Sequence, residues 1–194
     1  MQTAVSRVYI LLTRSRTWLS RAVHAMTGDA YTHVSLAFDE RLASLCSFSR
    51  KVSFLPLPSG LMQERLDGGY FGAHPDIRCA LYALPVTPEA FAAAQARVQQ
   101  MMCQRRCYRY SVRGLILCRL GVARTWPGYY FCSQFVAEVL EASGALVLQK
   151  PPALMRPQDF AALPGMELRF CGEMGELCRA LAPGYMGVVA GAHK

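Results

Sequence analysis

Tyr129-Tyr130-Phe131-Cys132-Ser133-Gln134-Phe135-Val136-Ala137-Glu138-Val139-Leu140 is the stretch on which the reading of this chain turns. Apolar side chains fall at Phe131, Phe135, Val136, Val139 and Leu140, the spacing of a helix laid against a core. An aromatic run thus gives way to a helix that carries Cys132 in its first turn. Unpaired N–H groups and the positive end of the helix dipole favour an anion there, so the thiolate, the reactive form, is stabilised. The same N–H groups suit the oxyanion that develops when sulfur attacks a carbonyl. Against this stands the plain alternative of a buried free cysteine acting as a small hydrophobe. A reactive thiol needs a base, which this stretch does not contain.

Working outward, 194 residues fit one domain able to bury roughly 70% of its unfolded surface without disulfide or metal support. No internal repeat or linker divides residues 1–194. A hydrophobic content of 53% with 18% charged residues excludes a disordered chain. The net charge of +8 is compatible with attraction to an anionic surface, nucleic acid, acidic lipid or wall polymer, without choosing among them, and equally with a solvated basic face. The basic runs Arg14-Ser15-Arg16 with Arg21, and Arg105-Arg106 with Arg109 and Arg113, match no nucleic-acid module, so no specific nucleic acid is expected. The eight cysteines, at 46, 79, 103, 107, 118, 132, 171 and 178, accompany no secretory leader, which predicts a reducing, cytoplasmic setting. No Cys-x-x-Cys pair occurs, no run reaches the length of a membrane span, and neither metal nor organic cofactor is called for.

In chain order, Val5–Thr13 reads as a buried strand, and Trp18, Leu19, Ala22, Val23 and Met26 as one face of a short helix closed by Gly28, with His24 on its surface. Tyr31–Phe38 alternates, with Val34, Leu36 and Phe38 facing one way and His33, Ser35 and Ala37 the other. A second strand over Leu42–Ser49 forms a hairpin with it. Pairing Phe38 with Leu42 sets His33 opposite Ser47, whereas a turn one residue shorter sets it opposite Cys46. Residues 50–75, rich in Gly and Pro, read as a long loop without regular structure, either bordering the active site or making a plain surface excursion. Ile77–Leu84 is a strand, and Thr87-Pro88-Glu89 opens a helix that runs to about Arg105. Tyr108–Leu120 leaves helix and strand undecided. Trp126-Pro127-Gly128 turns the chain into the Cys132 helix, which Gly144 ends. Arg156–Phe160 starts a helical turn, and Met166–Cys171 is a last strand before a poorly patterned tail.

Thr32-His33-Val34-Ser35-Leu36-Ala37-Phe38-Asp39, Cys46-Ser47-Phe48-Ser49-Arg50-Lys51, Tyr130-Phe131-Cys132-Ser133-Gln134-Phe135-Val136 and Lys150-Pro151-Pro152-Ala153-Leu154 resemble the permuted NlpC-type, YiiX/YebB-like papain-fold proteins. The resemblance spans roughly residues 4–172. It implies an α+β protein with a circularly permuted papain-like fold, helices packed on an antiparallel sheet, with Cys132 as nucleophile and His33 as general base. The permutation lies in the order, since papain-type enzymes place cysteine before histidine and here His33 comes first. The family also orients its imidazole with a polar residue on the strand after the histidine strand. No carboxylate or second histidine stands there, so Ser47 is the candidate. A serine cannot stabilise an imidazolium as a carboxylate does.

These residues lead to a cysteine hydrolase, peptidase- or amidase-like, cleaving an amide through a Cys132 thioester. The resemblance suggests cell-wall-type peptides as substrate. A lipid acyltransferase or phospholipase-like thiol enzyme keeps the same site and takes an acyl-type substrate instead. A catalytically inactive papain-like binding module is the alternative that the missing carboxylate invites.

Overall fold

In the computed structural model, which describes residues 5–14, 28–50 and 59–182, the chain alternates short strands with helices. The strands are β1 (Ser6–Thr13), β2 (His33–Ala37), β3 (Cys46–Arg50), β4 (Ser59–Gln63), β5 (Arg78–Val86), β6 (Arg109–Tyr110), β7 (Tyr129–Tyr130) and β8 (Glu167–Glu173). The α-helices are α1 (Gly69–Ala73), α2 (Pro88–Cys103), α3 (Val112–Arg119), α4 (Cys132–Ala142) and α5 (Met174–Leu181). Six strands form one antiparallel sheet in the order β4-β3-β2-β1-β5-β8, and β6 and β7 pair in parallel beside it. The architecture is α+β. The helix expected over Trp18–Met26, with His24, lies outside the described residues.

β1 is apolar on both faces because both faces are covered. Val8, Ile10 and Leu12 enter one core with Val34, Leu36 and the α4 residues Phe135, Val136 and Val139. Tyr9 and Leu11 enter a second core with Ala37, Phe71, Met174 and Leu177. The alternation expected in β2 is therefore present, with His33 and Ser35 on the face of Ala37. An aromatic cluster seats α4 on the sheet: Phe48 lies 5.2 Å from Phe135 and 5.2 Å from Tyr130, ring centre to ring centre. Each such pair contributes about 0.5–1.5 kcal/mol beyond the area it buries.

Three expectations are corrected. β3 begins at Cys46 rather than Leu42, and the register pairs Leu36 with Cys46, so Ser47 does not stand opposite His33. The cause is a wider connection: Asp39 accepts the N–H groups of Ala43 and Ser44, at 2.8 Å each, and Leu42 adopts φ 57° to close the turn. Residues 50–75 do contain regular structure, β4 and α1. Gly60, which reads as loop punctuation, allows a close approach, because a Cβ there would stand 3.0 Å from the carbonyl oxygen of Tyr108. The tail after β8 forms α5, started by a reciprocal cap between Glu173 and Glu176 and held by buried Met174 and Leu177. The undecided stretch 108–120 splits into β6 and α3, and Ser111 caps α3 by accepting the Gly114 N–H at 3.1 Å.

Candidate active site

α4 begins at Cys132, with Phe131 as its N-cap residue, and packs against β2 and β3. That packing brings the thiol to the start of β2, where His33 stands across from Thr13 of β1. Cys132 and His33 lie close enough that each shifts the other's titration. The structure thus unites the two residues that the sequence separates most widely.

The third member comes from a residue the sequence reading passed over. Nε2 of His33 stands 3.1 Å from Glu64 Oε1 and 3.2 Å from Ser35 Oγ. Ser35 Oγ in turn donates to Glu64 Oε2 at 2.5 Å. With its proton committed to the carboxylate, Ser35 can only accept from the ring, and so can Glu64. Nε2 therefore carries the proton, and Nδ1 is the nitrogen left for sulfur. Glu64 follows β4 directly, and its own N–H donates to the Leu45 carbonyl at 2.8 Å, which continues the β3–β4 ladder and fixes the carboxylate beside the imidazole. Ser47 is buried and approaches Glu64 without a hydrogen bond of ordinary geometry, so Glu64 and not Ser47 holds the ring.

The electrostatics follow from this chain of contacts. Burial disfavours a charged imidazole, but the Glu64 carboxylate and the hydrogen bonds to Cys132 and Glu64 outweigh it and raise His33 to about 10. Burial would raise the Cys132 thiol, yet the hydrogen bond and charge of His33 lower it, helped by the backbone N–H groups of Val34 and Ser133. Burial would likewise raise Glu64, and the charge of His33 with the His33 and Ser35 hydrogen bonds lowers it. All three shifts favour thiolate, imidazolium and carboxylate in a row. The side chains of His33 and Glu64 keep 15% and 11% of their surface exposed, so the pair can be reached from outside.

Two further features surround this row. Thr13 Oγ1, Ser47 Oγ and Ser133 Oγ are buried without a hydrogen-bond partner, and each neighbours one member: Thr13 pairs with His33, Ser47 lies near Glu64, and Ser133 follows Cys132. Unpaired buried hydroxyls are costly away from a functional site. Asp29, whose side chain is fully buried, takes Arg119 at the end of α3 and Arg156 Nη1 at 3.3 Å, tying the approach to β2 to the flank of α4. Among the described residues, no three His, Cys, Asp or Glu side chains converge as metal ligands would. None of the eight cysteines is bonded to another.

The fold and site define an α+β protein with a cysteine–histidine–glutamate row at a helix start. Compared with family models, curated proteins and solved structures, the chain matches none.

Proposed function

We propose that this chain is a cysteine hydrolase with a circularly permuted papain-like arrangement, cleaving an amide bond in a cell-wall-type or related peptide. The observation that carries the reading is the Cys132 thiol, lowered by an imidazole whose far nitrogen is held by Glu64. Glu64 supports this reading over an inactive scaffold, because a carboxylate stands behind the imidazole, supplied from the end of β4.

In this reading the Cys132 thiolate attacks the carbonyl carbon, a C–S bond forms, and the oxygen takes the negative charge near the first N–H groups of α4. As the C–N bond breaks, the imidazolium of His33 gives its proton to the leaving amine, which departs and leaves a thioester. Neutral His33 then takes a proton from water, the hydroxide equivalent adds to the thioester, and the C–S bond breaks. The acid leaves, and thiolate and imidazolium are restored. Glu64 holds Nε2–H throughout and stabilises the charged ring.

The test is a panel of peptide amides and acyl lipids incubated with wild type and Cys132→Ser, quenched in acid and read by intact mass. An acyl adduct on Cys132 with release of a new amine, absent in the serine variant, is expected. No adduct from any member would contradict the reading. A fatty-acyl adduct without a new amine would favour the lipid acyl enzyme, a second reading that the exposed apolar side chains of α3, Val112 and Ile116, support.

A further inference from the structure

α3 is packed on one side only. Gly114 and Cys118 face inward, and a Cβ at Gly114 would meet Phe131, the residue before Cys132, at 3.4 Å. On the outer side Val112, Ile116 and Leu120 recur at every fourth position, with Ile116 55% and Leu120 70% exposed. Val122 and Tyr129 extend this exposed apolar surface. Among the described residues nothing covers these side chains, and nothing about holding α3 in place requires them to be apolar.

The setting of the stripe is cationic. Arg105, Arg106, Arg109, Arg113 and Arg124 are all exposed, and none has a carboxylate within ion-pair distance among the described residues. From Ala90 through Ala137 the chain contains no Asp or Glu at all. A groove of about 460 Å³ opens between the start of α3 and β7, lined by Tyr110, Ser111, Val112, Arg113, Trp126 and Tyr129. The Arg124 guanidinium lies 5.7 Å from the Trp126 ring centre.

We propose that this face docks the protein on an anionic phospholipid bilayer. Ile116 and Leu120 enter the acyl boundary, Trp126 and Tyr129 sit at headgroup depth, and Arg109 and Arg113 meet headgroup phosphates. Charge complementarity decides against a second copy of the chain, because two such faces would bring their arginines together. Nucleic acid would account for the arginines and aromatic rings but gives Ile116 and Leu120 no role. Because α3 rests on Phe131, a docked protein holds the Cys132 helix next to the bilayer.

The experiment is co-sedimentation of the full chain with phosphatidylcholine vesicles, with and without phosphatidylglycerol, at low and high salt. Wild type is expected to pellet with the anionic vesicles, with binding weakened by salt. Ile116→Asp/Leu120→Asp should lose at least about tenfold in partitioning, since buried apolar surface and charge act together. Arg109→Gln/Arg113→Gln should lose roughly twenty-five-fold, at about fivefold per arginine. Both variants should keep the wild-type melting temperature and the wild-type alkylation rate of Cys132, which separates this inference from the proposed chemistry. Failure of folded wild type to bind anionic vesicles overturns it. So does binding that the aspartate variant retains and duplex DNA shares, or a concentration-dependent dimer that the aspartate variant abolishes.

Discussion

Cys132 and Cys46 are the same side chain in the same core, 3% and 2% exposed, and the carboxylate of Glu64 acts on Cys46 and on His33, the neighbour of Cys132. Their chemistry diverges. Cys46 sees Glu64 directly, so burial and the negative charge together push its thiol up to about 12, and it donates to the Leu36 carbonyl at 3.4 Å. Cys132 sees the carboxylate through His33, which turns the anion's effect into a cation's, and its thiol falls. Burial does not decide whether a cysteine is inert or reactive; the group between it and the nearest charge does.

The comparison breaks most completely at the intermediary. In His33→Ala, burial alone acts on Cys132, which becomes another Cys46. Its iodoacetamide alkylation in mildly acidic solution should fall roughly hundredfold, because the thiolate gives way to the unreactive thiol. Site-resolved mass spectrometry reads this against the exposed Cys103, Cys107 and Cys171 as internal standards. Retention of fast alkylation would show that the helix start and backbone N–H groups suffice without the imidazole.

Removing only the charge is milder. Glu64→Gln keeps a hydrogen-bond acceptor for Nε2 but deletes the largest influence raising His33, so the ring's titration should move from about 10 toward its ordinary 6.5. Cys132 reactivity near neutrality should drop roughly tenfold, while Cys46 moves the opposite way, its thiol coming down. Nuclear magnetic resonance of the imidazole follows the first change. An unmoved His33 would mean that Glu64 positions the ring without charging it.

Stability against pH carries the same signature once the thiol's opposing titration is removed. His33 is raised in the folded state, so its contribution is whole below pH 6.5 and is lost as pH rises toward about 10. In Cys132→Ser, where Glu64 remains to raise the ring but the sulfur does not, the melting temperature should therefore decline above pH 6.5 over a window that closes short of 10, and His33→Gln in the same background should flatten the decline. Glu64, lowered when folded chiefly by the charge of His33, contributes above its ordinary 4.5 and loses that contribution as pH falls further, so Cys132→Ser should show an acid-side loss that His33→Gln weakens. A flat profile in Cys132→Ser would contradict the His33–Glu64 pair.

Ser47→Ala should matter least. Its hydroxyl makes no hydrogen bond of ordinary geometry, so alkylation of Cys132 should change less than about twofold and stability by under about 1 kcal/mol. A collapse of reactivity would return Ser47 to the role the sequence suggested for it.

What the sequence made legible follows from local periodicity. Cys132 at a helix start and His33 on the polar-bearing face of a strand could be read from spacings of four and two, and the strands β1, β5 and β8 and the helices α2 and α4 were readable for the same reason. Pairing register was not readable, because it depended on how Asp39 and Leu42 shaped a turn. Glu64 was hidden by its neighbourhood. Glycine and proline on either side argued for loop, whereas Gly60 lies in β4 because the chain at Tyr108 passes too close for a side chain. A short strand ending in a carboxylate two strands from the histidine has no local signature; only the sheet order β4-β3-β2 brings it home.

The most direct test of the account is the full pH profile of Cys132 alkylation by iodoacetamide in wild type, resolved by site. A thiolate paired with an imidazolium predicts fast reaction already on the acid side of the ordinary thiol value, a plateau, and a second step near 10 as His33 loses its proton. A single rise at or above the ordinary thiol value of 9.0, no faster than the exposed cysteines and with no step near 10, would contradict the pair and the hydrolase built on it.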